Sequence, residues 1–258
     1  MISAIKKALI KIGGTLLDDP KSRAAIATQI NQIADKGIAV TVVHGGGKQM
    51  TRFLTERGIE SHFIGGLRVT NEETIDAVLK VLAGTVNTQL VAALGARAVG
   101  LTGIDAELAT AEQLDPQLGF VGKVTASDPR ILDTLSAAGY IPVVACVAGG
   151  RHAEVYNVNA DSMAVAVASK WKVDRLVFLT DVPGVLDADK NLMPALSIED
   201  CQSLIESGIA TGGMQAKLNS ATDAVRSGVT EVSIVKGSDP DIVLRVFAGE
   251  PAGTRIKA

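Results

Sequence analysis

Short apolar runs alternate along this chain with segments whose apolar residues recur every three or four positions. The runs at 9–12, 39–43, 98–101, 142–146, 176–179 and 232–235 predict buried strands. The periodic segments between them predict helices over 21–35, 48–57, 72–93, 129–138, 160–170, 198–206, 213–227 and 240–247. Strands and helices that alternate in this way imply an α/β fold, a mainly parallel sheet covered by helices. Ser197, with Asp200 three residues on, is the expected N-cap of one of those helices. Two glycine-punctuated stretches, 59–70 and 105–125, break the rhythm and predict hairpins projecting from the sheet. A new strand opens the last third, so the pattern divides into an N-terminal lobe, 1–172, and a C-terminal lobe, 173–258.

Composition narrows the function classes. Of the 258 residues 47% are hydrophobic but only 3% aromatic, so the core is aliphatic and stacking on nucleobases is a poor expectation. A net charge of −3 carries no basic stripe for nucleic acid. Cys146 and Cys201 lie far apart and form no CxxC pair, which suits two reduced thiols in a cytoplasmic protein. Lys11 interrupts the first apolar stretch, and no run approaches the ~20 apolar residues of a spanning helix. A soluble protein without membrane partners is expected. His44, His62 and His152 are scattered and form no metal-binding spacing, so no protein metal ligand is assigned.

The candidate chemistry sits at the strand ends. Lys11 closes the first strand and opens onto Gly13 and Gly14, and Gly45, Gly46 and Gly47 follow the second strand. Backbone without side chains lets N–H groups approach an anion, and an ammonium beside them adds full positive charge. Tight βα turns also favour glycine, but two such clusters at the carboxyl edge of a parallel sheet point to an anion site. No GxxxxGK[ST], GxGxxG, protein-kinase or GxSxG signature accompanies them. Arg68, after Gly65 and Gly66, either presents its fork to a carboxylate or is solvated at the surface. Asn157, Asn159 and Asp161 would share one face if extended, while Asn159 or Asp161 could instead cap the next helix. Gly212 and Gly213 open a helix carrying Lys217 about one turn inside, which again suits phosphate. Asp181, Val182, Pro183, Gly184, Val185 and Leu186 follow a buried strand and form a Pro-Gly turn able to embrace a nucleotide.

Taken in order, these segments resemble the amino-acid kinase family, and within it the members that phosphorylate N-acetyl-L-glutamate. The segments Gly66-Leu67-Arg68-Val69-Thr70 and Asn157-Val158-Asn159-Ala160-Asp161 carry the narrower likeness. The resemblance implies a three-layer αβα sandwich of the carbamate kinase-like type, its open sheet running through both lobes. It implies transfer of the γ-phosphoryl group of ATP, with Mg²⁺ as counter-ion, to the substrate's side-chain carboxylate in arginine biosynthesis. On that resemblance Lys11 and Lys217 neutralise the transferring group, Gly14 and Gly46 supply amide donors, and Asp161 holds both lysines. Arg68, Asn157, Gly46 and Gly47 take the acyl amino acid. ATP rests against Lys11, Gly13, residues 181–186, Ile209, Ala210, Thr211 and Lys217. A carboxylate nucleophile is already ionised near neutral pH, so the absence of a general base is chemically consistent.

The glycine turn expected after the third core strand is looser here, at residues 103–107, which bears on the lid rather than the reaction. About ten residues precede Lys11, so the N-terminal helix of hexameric, arginine-inhibited relatives is expected to be absent and a homodimer to form, through the helix at 72–93. N-succinylglutamate and carrier-bound aminoadipate are the alternative acceptors, and a non-catalytic nucleotide or amino-acid sensor the alternative class.

Overall fold

The computed structural model describes residues 5–258. The expected absence of a preceding helix falls partly on residues 1–4 and there lies outside the described residues. In chain order the elements are β1 (Lys7–Ile12), α1 (Gly14–Asp18), α2 (Pro20–Asp35), β2 (Ala39–His44), α3 (Gly47–Thr55), β3 (Phe63–Ile64), β4 (Leu67–Arg68) and α4 (Glu72–Leu94). Next come β5 (Ala98–Thr102), β6 (Thr110–Gln113), β7 (Val121–Ala126), α5 (Arg130–Ala137), β8 (Ile141–Ala145), β9 (Val147–Gly149), β10 (Val155–Val158) and α6 (Ala160–Trp171). The last are β11 (Arg175–Thr180), β12 (Ala195–Leu196), α7 (Ile198–Glu206), α8 (Gly212–Arg226), β13 (Glu231–Lys236), α9 (Ile242–Ala248) and β14 (Thr254–Ile256).

Eight strands form one open sheet in the order β5-β8-β2-β1-β11-β13-β14-β12. The first six run parallel, and only the step from β13 to β14 is antiparallel. Buried on both faces, the five central parallel strands carry mainly apolar runs, which is why the sequence shows them so clearly, while β5 at the sheet edge is only partly buried. In β1, Ala8, Leu9, Ile10 and Ile12 are all fully buried. Each large aliphatic side chain there contributes ~1.5–3 kcal/mol by leaving water. Helices α2, α4 and α9 pack on one face and α5, α6 and α8 on the other, completing the three layers.

The carboxyl ends of the strands carry two additions. The hairpin expected at 59–70 is present as β3 and β4, pairing Phe63 with Arg68. The one at 105–125 does not project freely: β6 and β7 join β9 and β10 in a closed four-stranded barrel. Its remaining strands come from residues 147–158, too short and mixed for periodicity to reveal. The Ser197 cap forms a full capping box with Asp200.

Helix α4 departs from the sequence expectation about apolar runs. Its 23 residues are long and apolar enough, by length and composition, to cross a bilayer. Lys80, Asn87 and Gln89 interrupt the run read residue by residue, whereas the helix as a whole averages apolar. Ala77, Val78, Val81, Leu82, Val86, Leu90 and Leu94 are buried in the core. Residues Leu79–Val86 are wound as a π-helix, which shifts the face that Leu82 and Val86 present.

Candidate active site

Strands β1 and β2 are neighbours, so their two glycine turns emerge side by side. Gly13 is extended and its N–H donates to the Leu179 carbonyl at 3.1 Å, tying the β1 turn to β11. A Cβ added to Gly14 would lie 3.1 Å from both the Gly46 Cα and the Gly47 nitrogen. The close approach of the turns therefore depends on glycine at that position. Gln49 braces them further by donating from Nε2 to the Gly14 carbonyl at 2.9 Å. Gly14 and Gly47 open α1 and α3, so their N–H groups are among the unsatisfied donors of helix starts.

Asp161 lies in the first turn of α6, where Asn159 caps the helix by accepting from the N–H groups of Asp161 and Ser162 at 2.9 and 3.1 Å. The extended alternative for Asn157, Asn159 and Asp161 is not adopted, because β10 ends at Val158 and the helix begins two residues later. Lys11 Nζ is 2.7 Å from Asp161 Oδ1 and Lys217 Nζ is 3.6 Å from Oδ2. The carboxylate is largely buried and faces an ammonium at each oxygen. A helix N-terminus adds to its stabilisation.

Beside this trio opens a cavity of about 240 Å³ lined by Lys11, Gly14, Gly46, Gly47, Arg68 and Asn157, with Leu82, Cys146 and Val158 on its apolar side. The Arg68 guanidinium donates to the Gly47 carbonyl at 3.1 Å, to Thr51 Oγ1 at 2.8 Å and to Ser61 Oγ, and lies 4.7 Å from the Phe63 ring centroid. Partial burial lowers its pKa from the usual value. Asn157 donates from Nδ2 to Thr70 Oγ1 at 3.1 Å. Burial also pushes the Cys146 thiol up to about 11, so it is neutral and no nucleophile. A second cavity, about 490 Å³, lies between β7, α6 and α8 and includes Asp161.

The expected nucleotide residues are more dispersed. Residues 181–186 follow β11 directly, and their turn is pinned where the Val185 N–H donates to Thr254 Oγ1 at 2.8 Å. Ile209 is exposed, Ala210 is buried and Thr211 precedes α8. Asp181, Val182, Pro183, Gly184, Val185, Leu186, Ile209, Ala210, Thr211, Gly13 and Lys217 line neither cavity. Among the described residues no group of three or more His, Cys, Asp or Glu could hold a metal. Both Asp161 oxygens already face ammonium groups, so the donor set does not fit a protein-held cation.

Sequence reasoning missed Leu82, Phe63 and Gln49, whose roles follow from the π-helix, the hairpin and the touching turns. It also missed Asn87, whose Nδ2 lies 3.0 Å from His44 Nε2. A lone asparagine within an apolar helix was the available signal. His44 itself is fully buried and hydrogen-bonded.

Lys11, glycine amides and the Arg68 guanidinium around one small cavity, with Lys217 across Asp161, can assemble two anions and screen their repulsion. Comparison with known proteins shows the family. The model of the Amino acid kinase family matches residues 6–236. An acetylglutamate kinase of Solibacter usitatus is 58% identical over 253 residues, covering 97% of this chain and 98% of its own. N-acetylglutamate synthase from Neisseria gonorrhoeae superposes with a TM-score of 0.88 at 26% identity; the match covers 98% of this chain and 59% of that one. Carbamate kinase from Giardia lamblia, at 15% identity and a TM-score of 0.73 over 99% of each chain, shares the fold.

Proposed function

The chain belongs to the amino acid kinase family, and from that premise we propose that it transfers the γ-phosphoryl group of ATP to the side-chain carboxylate of N-acetyl-L-glutamate. The product is an acyl phosphate, formed in the second step of arginine biosynthesis through acetylated intermediates. The observation that carries this reading is the convergence of Lys11 and Lys217 on Asp161 beside the Gly14 and Gly46 turns.

In this reading the acyl amino acid occupies the cavity of about 240 Å³, its α-carboxylate on Arg68 and its amide on Asn157. Gly46 and Gly47 touch its reacting end. ATP lies over the C-terminal lobe, 173–258, against residues 181–186 and 209–211, with its γ-phosphate reaching Lys11 and Lys217. The nucleophile is an anion at neutral pH, so the protein's task is to align it in line with the phosphoryl group. Ammonium groups and N–H donors then stabilise charge as it spreads over the equatorial oxygens. Mg²⁺ enters as the counter-ion of ATP, carried by phosphate oxygens, and no step here depends on a protein ligand to it.

The cavity's small size supports a short acyl amino acid over a carrier-bound acceptor. Acetyl over succinyl is supported by the 58%-identical relative, an acetylglutamate kinase. The partly exposed face of α4, including Leu79, is the proposed homodimer surface. A coupled ATPase assay across N-acetylglutamate, N-succinylglutamate, glutamate and aspartate tests the assignment. Turnover is expected with N-acetylglutamate, and a preference for any of the other three overturns it.

A further inference from the structure

His44 closes β2 with its side chain fully buried, and phosphoryl transfer as described leaves it without a task. Its Nδ1 lies 2.9 Å from the Gly45 carbonyl oxygen. A carbonyl only accepts, so Nδ1 carries the proton. Its Nε2 lies 3.0 Å from Asn87 Nδ2, which also donates to the Val143 carbonyl at 2.9 Å. That carbonyl identifies the Asn87 atom as the NH₂ group, which leaves His44 Nε2 as the acceptor. Burial pushes the imidazole down to about 4, so it is neutral at working pH. Tautomer and ring orientation are both fixed.

The consequence runs through one peptide plane. In a trans peptide the C=O and the following N–H point in opposite directions. Holding the Gly45 oxygen toward His44 therefore aims the Gly46 N–H away from it. Among the described residues that N–H donates to no protein group, and Gly46 lines the cavity that holds Lys11. Two consecutive glycines leave this peptide free to rotate unless something restrains it. Asn87 is the first residue beyond the π-helical stretch of α4, so the same helix that seats Leu82 against Gly46 also delivers the amide that braces the ring.

We propose that His44 is a positioning residue: its Nδ1–H locks the Gly45–Gly46 peptide so that the Gly46 amide meets the charge on the transferring phosphoryl group, and Asn87 locks His44. The role rests on the phosphoryl-transfer reading, because the aimed amide has work only if an anion develops there.

The test compares His44→Leu, His44→Asn and Asn87→Ser with the wild-type enzyme. His44→Leu removes the donor and should lower kcat about 100-fold, with KM for both substrates within about threefold. His44→Asn puts an amide N–H near the Nδ1 position and should recover most of that loss. A crystal structure of His44→Leu should show the Gly45–Gly46 peptide turned over or in two orientations. A folded His44→Leu enzyme with wild-type kcat, an unmoved peptide, or equal losses in His44→Leu and His44→Asn overturns the proposal. Should His44→Leu not fold, Asn87→Ser decides: it frees Nε2 and should lower kcat without raising KM, and unchanged kcat counts against the idea. Absence of kinase activity in the wild type sinks the phosphoryl-transfer reading instead, while the peptide orientation still reports on His44.

Discussion

Lys11 Nζ stands 2.7 Å from Asp161 Oδ1, and the other oxygen of that carboxylate faces Lys217 at 3.6 Å. One anion thus gathers cations from β1 and α8, elements that no sheet hydrogen bond joins. Asp161→Asn keeps the shape but removes the charge, leaving two ammonium groups to repel each other. Turnover should fall by about 100-fold or more, the scale of losing an electrostatic contact to the transition state. KM for ATP should change far less. Steady-state kinetics check this, and a variant with near-normal kcat removes Asp161 from the role of organiser.

Lys11 and Lys217 differ in setting: the Lys11 side chain is 11% exposed against 21% for Lys217. The more buried cation acts in a lower effective dielectric. Lys11→Ala should therefore cost ~2.7–4 kcal/mol of transition-state stabilisation, and Lys217→Ala less. Rates of single turnover measure both. Equal, small losses would mean that neither ammonium meets the phosphoryl group.

Arg68 reaches toward the cavity from the short hairpin, with its guanidinium braced on Gly47 and Thr51. Arg68→Ala should raise KM for N-acetylglutamate strongly and KM for ATP little, because a fork for one carboxylate is lost. Arg68→Lys should restore only part of the affinity, since a point charge cannot make two parallel hydrogen bonds. Parallel changes in both KM values would place the arginine elsewhere.

A Cβ at Gly46 would meet Leu82 Cδ2. Gly46→Ala should cost about 1–3 kcal/mol through overpacking and also push the turn off its aim. Adding Leu82→Ala should return part of the lost turnover by making room. If the double variant is no more active than Gly46→Ala alone, the obstruction is not this leucine.

The six parallel strands were readable because each carries a mainly apolar run, as in residues 142–146. Lys11 stood out as a charge ending such a run. Strand β14 escaped notice because only Thr254–Ile256 form it, antiparallel to β13 in a way that no periodicity announces. The extent of helix α1 was not legible, since only the five residues Gly14–Asp18 form it and they give too little repeat to see. Within the site, residues marked by glycine or by charge in a local motif were legible. The pairing of His44 with Asn87 was not, because 43 positions separate them and no local motif joins them. Contacts of that range belong to the packed fold, not to a sequence window.

The buried imidazole also sets a pH limit on stability. Its folded pKa is about 4 against an ordinary 6.5, and burial is the cause. Its ring faces the Gly45 carbonyl and the Asn87 amide, neither of them charged. The folded protein thus favours the neutral ring, while the unfolded chain takes up a proton near pH 6.5. Between about 6.5 and about 4 the unfolded state binds more protons, so stability present above that window is lost as pH falls through it. The full loss is ~3 kcal/mol, at 1.36 kcal/mol per unit. For a chain of this size that is roughly 6–12 °C in Tm. Carboxylates also titrate in this range, so the comparison must be with His44→Asn, which cannot take up the proton. Melting curves at pH 7 and pH 4.5 should show the wild type losing more Tm than the variant. Parallel losses would mean that the ring is either already charged in the folded state or not buried as found.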